Sequence, residues 1–165
     1  MTEFKVSSKK EVISTKFWGE LEIEMDEVIF FKRGIPGFKN NKQFALLDSE
    51  DIKPFYWLVN VEDPGLAFVL IDPQNFLQDY QPKLYESDLM ELKADPNDVI
   101  VMLAIITLTT DPVKSTVNLL GPLLINTTKK LGKQIVVVDD QYSTKYLILD
   151  TKNQNVLQNK ELVAV

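Results

Sequence analysis

The sequence predicts a mainly β protein, a single small barrel-like domain with one or two short helices. Three observations lead there. Most periodic segments alternate with period two, and there is little helical periodicity. Pro, Gly and Asp recur at short intervals and cut the chain into many short segments. One long apolar run, Val99 to Leu108, is rich in β-branched residues and reads as a strand buried on both faces. A chain of 165 residues has the length of one domain, and closing its strands into a barrel would remove exposed edges. The expected division is a β domain over 1–150 and a loosely held polar tail over 151–165.

In Glu20-Leu21-Glu22-Ile23-Glu24-Met25-Asp26 the carboxylates fall on one face and Leu21, Ile23 and Met25 on the other. This is a half-buried strand with an acidic outer face. Val12 to Trp18 is its expected partner, with breaks at Gly19 and at Asp26-Glu27. Val28 to Phe31 is a short strand stopped by Lys32-Arg33-Gly34. Gly34-Ile35-Pro36-Gly37 makes a tight turn, because Gly accepts positive φ and Pro holds φ near −65°. Phe44 to Leu47 resumes the sheet. Pro54 opens the strand Phe55 to Val59, and Asp63-Pro64-Gly65 turns the chain into Leu66 to Ile71, a hairpin. Asp88, Leu89, Met90 and Leu92 suit a short helix capped by Ser87 and ended by Asp95-Pro96. Beyond the long apolar run, Thr116 to Leu120 and Leu123 to Ile125 are short strands around Gly121-Pro122. Ile135 to Val138 and Lys145 to Leu149 flank Asp139-Asp140-Gln141-Tyr142 as a last hairpin.

Composition narrows the chemistry. The chain has no His and no Cys. That removes imidazole general bases, thiol nucleophiles, disulfides and the usual ligands of structural zinc, iron–sulfur and haem sites. No Gly-x-Ser-x-Gly or Gly-rich phosphate loop occurs. The acidic pairs and clusters, Asp139-Asp140 among them, lack calcium-loop spacing and read as turn formers; no metal site is expected. With 24 acidic residues, no one pair is singled out for hydrolase chemistry. The net charge of −6 argues against direct nucleic-acid binding. The longest apolar run falls far short of the ~20 residues of a membrane helix, and the start of the chain has no signal-peptide pattern. A cytoplasmic binding or scaffold protein without cofactors is expected. A small-ligand-binding barrel and a carboxylate hydrolase stay open as alternatives.

Several segments recur in a specific order. Phe17 to Glu22 is followed by Ile29-Phe30-Phe31 and Gly34-Ile35-Pro36-Gly37-Phe38. Then come Pro54-Phe55-Tyr56-Trp57-Leu58, Asp63-Pro64, Ala67-Phe68 and Asp72-Pro73. Thr116 to Pro122, Ile125-Asn126, Gly132-Lys133-Gln134 and Tyr142 complete the set. Together they resemble the flagellar assembly factor FliW family, from Phe17 to Leu149. The resemblance implies a small cytoplasmic β-barrel-like protein without enzymatic activity and with two protein partners. One is flagellin. The other is the carbon storage regulator CsrA, an RNA-binding repressor of flagellin translation that FliW-like proteins sequester until flagellin competes for them. A monomer is favoured, and neither nucleic acid nor membrane is bound directly.

A basic RNA-binding regulator would be steered by an acidic face. Glu20, Glu22, Glu24 and Asp26 are therefore the candidate contact, with Phe38 as an apolar anchor. The other reading of that face is the solvated side of an edge strand. Gly34, Pro36, Gly37, Asn118, Pro122 and Asn126 match the family motif by position, and turns or buried hydrogen bonds explain them without a partner.

Overall fold

The computed structural model describes residues 9–16 and 18–148. Phe17, Leu149 and the tail expected over 151–165 lie outside the described residues. The chain opens on an antiparallel hairpin of β1 (Lys10–Thr15) and β2 (Gly19–Glu24). A short 3-10 turn, Met25–Glu27, leads into β3 (Ile29–Phe31), β4 (Gln43–Leu47), β5 (Phe55–Asn60) and β6 (Ala67–Ile71). Helix α1 (Glu86–Glu91) precedes β7 (Ile100–Thr107). The remaining strands are β8 (Thr116–Val117), β9 (Leu123–Asn126), β10 (Leu131–Gln134) and β11 (Tyr146–Leu147).

Seven of these strands close on themselves in the order β7-β6-β5-β4-β3-β10-β9, with β9 pairing back onto β7. The β3–β10 pair is parallel and the others are antiparallel. Closure depends on the length of β7. Its first half, Ile100 to Leu103, pairs with β9, and its second, Ala104 to Ile106, with β6. An unbroken apolar run is what such a strand needs, since both its faces are packed, Val101 and Leu103 on the interior cluster and Ile100, Met102 and Ala104 under the outer covers.

Register then decides which side chains fill the barrel. Ile29 and Phe31, Phe44, Leu58, Leu70, Leu103, Leu123 and Ile125 form its interior cluster. A barrel filled in this way leaves its interior to side chains instead of a ligand. Three covers shield the outside. The β1–β2 hairpin lays Ile13 and Ile23 on Ala45 and Val59. Phe76 and Tyr80 pack on Phe55, Ile71 and Ala104. Leu92 from the end of α1, with Ile135 and Val137, covers Leu124.

The structure departs from the sequence reading in four places. Ile135 to Val138 is not a ladder strand; β10 ends at Gln134, and the described part of the expected Lys145 to Leu149 strand, 145–148, does not return on it. β11 pairs with β8 instead, so Asp139 to Tyr142 is no hairpin loop. Ser87 lies inside α1 and does not cap it. Tyr85 holds the cap position, its N–H donating to Asp88 Oδ2 at 3.3 Å. The helix ends well before Asp95-Pro96, where Lys93 turns left-handed with φ 49°. Thr116 to Leu120 shortens to two ladder residues because Asn118 bends the chain away.

Candidate functional site

Alternation does put the β2 carboxylates on one side. Glu20, Glu22 and Glu24 are exposed, while Ile23 is buried against the barrel. Asp26 is exposed in the 3-10 turn that follows. The hairpin register places Lys10 opposite Glu24. Its Nζ lies 3.2 Å from Glu22 and 4.0 Å from Glu24. Lysines missing from the β2 sequence are thus supplied in part by the partner strand. Such exposed pairs contribute about 0–1 kcal/mol. Over residues 9–27 three lysines still face six carboxylates, so the hairpin remains acidic. Carboxylate oxygens of Glu24, Asp26 and Glu27 lie within 4.8 Å of one another, exposed, with Lys130 Nζ 2.7 Å from Glu27.

The Gly34 to Gly37 turn works through its glycines. Gly34 has φ +63° and Gly37 φ +90°. A Cβ at Gly34 would stand 2.8 Å from the backbone of Lys39. Ile35 between them is buried among the interior side chains, and a loop residue reaches that interior only through an open barrel end. Pro36 is exposed. Phe38, 40% exposed, sets its ring edge-to-face on Phe68, 5.4 Å between centroids. Among the described residues no hydrogen bond, ion pair or ring contact joins Phe38 to β2.

The three remaining motif positions hold backbone. Asn118 Oδ1 accepts from the N–H groups of Leu120 and Gly121, at 3.1 and 2.9 Å. Pro122 is buried and its carbonyl accepts from Ile135 N–H at 3.0 Å. Asn126, fully buried, donates from Nδ2 to Leu92 O and Asp98 Oδ2 and accepts from Lys129 N–H. The Asp98 carboxyl is held below the usual carboxylate range, first by the N–H of Asp95, then by Asn126 and Lys129.

Sequence reasoning passed over a groove of about 540 Å³ on the outside of β3 and β10. Phe30, Tyr85, Val136 and Val138 give it apolar walls. Gly34, Pro36 and Lys39 also line it. Lys133 Nζ holds Asp88 at 2.7 Å and Glu91 at 3.1 Å, and Arg33 holds Glu91 at 2.8 Å. Burial alone would lower the Lys133 pKa, but those two carboxylates outweigh it and raise it. A signal for the groove was present in 135–138, where both alternating faces are apolar.

The fold and these surfaces define a small closed β-barrel protein with a filled core, an acidic hairpin outside it and an apolar groove beside it. The chain belongs to the FliW family, whose model, described as FliW protein, matches residues 11–148. It is 35% identical over 148 residues to the flagellar assembly factor FliW of Caldicellulosiruptor saccharolyticus, covering 90% of this chain and 97% of that one. To the flagellar assembly factor FliW of Natranaerobius thermophilus it is 40% identical over 135 residues, covering 81% and 89%. A crystal structure of the flagellar assembly factor FliW superposes with a TM-score of 0.78 at 36% identity, covering 86% of this chain and 99% of that chain.

Proposed function

We propose that this chain is a non-enzymatic cytoplasmic regulator of flagellar assembly that binds CsrA and flagellin in turn. In this reading it sequesters CsrA, so that flagellin mRNA is translated. Newly made flagellin competes for it, and flagellin export frees it again. Membership of the FliW family is the observation that carries the reading. The acidic hairpin supports it, since a basic RNA-binding regulator is attracted by complementary charge. Glu20, Glu22, Glu24 and Asp26 would make that contact, with Phe38 as an apolar anchor. The binding unit would be the β domain over 1–150, acting as a monomer.

The test is a pull-down of the full chain with CsrA and flagellin, each alone and then together. Binding of each alone, with flagellin displacing CsrA, is the expected result. Failure to bind either overturns the reading. Charge reversal at Glu22 and Glu24 (Glu→Lys) then tests the face. A drop in CsrA affinity and in its salt dependence is expected, and unchanged values would remove these residues from the contact.

A further inference from the structure

Past Gln134 the chain runs on extended over 135–138 and bonds on one side only. Ile135 N–H donates to Pro122 O at 3.0 Å and Val137 N–H to Leu120 O at 2.9 Å. Ile135 and Val137 are buried. Val136 and Val138 face the other way, 75% and 91% exposed. Among the described residues nothing bonds their N–H groups. This is an open edge of extended backbone carrying two β-branched apolar side chains, which proteins normally cover or guard with charge.

The edge lines the groove beside β10. Across it stand Phe30 and Tyr85, both exposed. The groove's charge runs against that of the whole protein. Lys32, Arg33, Lys39 and Lys133 face only two carboxylates, Asp88 and Glu91, in a chain of net charge −6. Arg33 and Lys133 are held by those carboxylates. Lys32 and Lys39 make no ion pair among the described residues.

We propose that the 135–138 edge takes an extended peptide segment of a partner protein by strand addition, apolar at alternate residues and acidic between them. Main-chain bonds to Val136 and Val138 supply affinity, and the apolar walls receive every second side chain. Lys32 and Lys39 meet the carboxylates. The site is separate from the acidic β2 face and stands whether or not that face binds CsrA.

The probe is a blocked peptide, acetyl-Glu-Val-Asp-Val-Glu-Val-amide, titrated into the isotope-labelled full chain. Amide shifts should centre on 135–138, and exchange at Val136 and Val138, fast in the free protein, should slow on binding. The same peptide N-methylated at alternate residues should bind at least about tenfold more weakly, as should a Lys-for-acid version. Val136→Pro removes an N–H that bonds nothing among the described residues, so it should weaken binding similarly while leaving thermal unfolding near that of the parent. The proposal is overturned by absence of binding, or by equal binding of the N-methylated or basic peptide. Slow exchange at Val136 and Val138 before peptide is added also overturns it, because a second copy or another part of this chain then fills the edge.

Discussion

The ring of Phe31 occupies the space that a side chain at Gly132 would need. A Cβ at position 132 would stand 2.6 and 2.7 Å from Phe31 Cε2 and Cε1. The two residues face each other across the parallel β3–β10 pair, and Phe31 is fully buried. Gly132→Ala therefore overpacks the barrel, and a cost of about 1–3 kcal/mol is expected by denaturant unfolding. In a Phe31→Leu background the added cost of Gly132→Ala should fall by more than half. Additive costs would show that the ring is not the obstacle.

Gly34 and Gly37 both adopt positive φ, but their surroundings differ. A Cβ meets the Lys39 backbone at Gly34 and nothing within 4 Å at Gly37. Gly37→Ala should cost about 1 kcal/mol of left-handed strain. Gly34→Ala should cost clearly more, because backbone cannot swing aside as a side chain does. Unfolding midpoints of the two variants at equal m-value give the order, and a reversed order would contradict the packing of this turn.

Asn126 ties the end of β9 to the segment after α1. Removing its side chain by Asn126→Ala leaves the carbonyl of Leu92 and the N–H of Lys129 without those partners. A loss of about 1–3 kcal/mol is expected. The acid limb of the stability profile should also change. The depressed Asp98 pKa contributes stability above the ordinary carboxylate range that is lost as pH falls through the lowered value. Without the Asn126 amide that limb should become shallower in a pH-stability titration.

Tyr80 is expected to contribute to the alkaline limb. Its hydroxyl donates to Leu119 O at 2.7 Å and its ring packs edge-on against Tyr142, 4.9 Å between centroids. Burial first, and Tyr142 second, raise its pKa far above the usual 10.0. Below that value both folded and unfolded chains carry the proton. Above it the unfolded chain releases the proton and the folded one keeps it, so stability falls as pH rises past 10, by up to about 1.4 kcal/mol per pH unit. Tyr80→Phe should cost about 0.5–1.5 kcal/mol at neutral pH and flatten that slope. An unchanged slope would assign it to other groups.

Local pattern made much of the architecture legible. The alternation of Leu21 and Ile23 with Glu20, Glu22 and Glu24 named a strand and its faces, and Asp63-Pro64-Gly65 named the β5–β6 turn. Strand limits and caps were less legible. Ile135 to Val138 has strong strand propensity, yet ladder pairing stops at Gln134, because the residue opposite Ile135 is Pro122, which accepts the Ile135 N–H but has no N–H to return. Propensity registers a preference for extended backbone and cannot register whether a second strand is present. The same limit hid the Lys10 ion pairs with Glu22 and Glu24, which exist only through the hairpin register.

By itself, then, the sequence determined the fold class, the β1–β2 and β5–β6 hairpins, the acidic face of β2 and the family. These rest on side-chain period, turn chemistry and an ordered set of motifs, all local in the chain. Tertiary structure alone decided the closure of β7 onto β9, the parallel pairing of β3 with β10, the seating of Phe31 on Gly132 and the basic apolar groove beside 135–138. β3 and β10 are about a hundred residues apart in the chain. Which distant strands pair is settled by the shared burial of side chains that no short window contains.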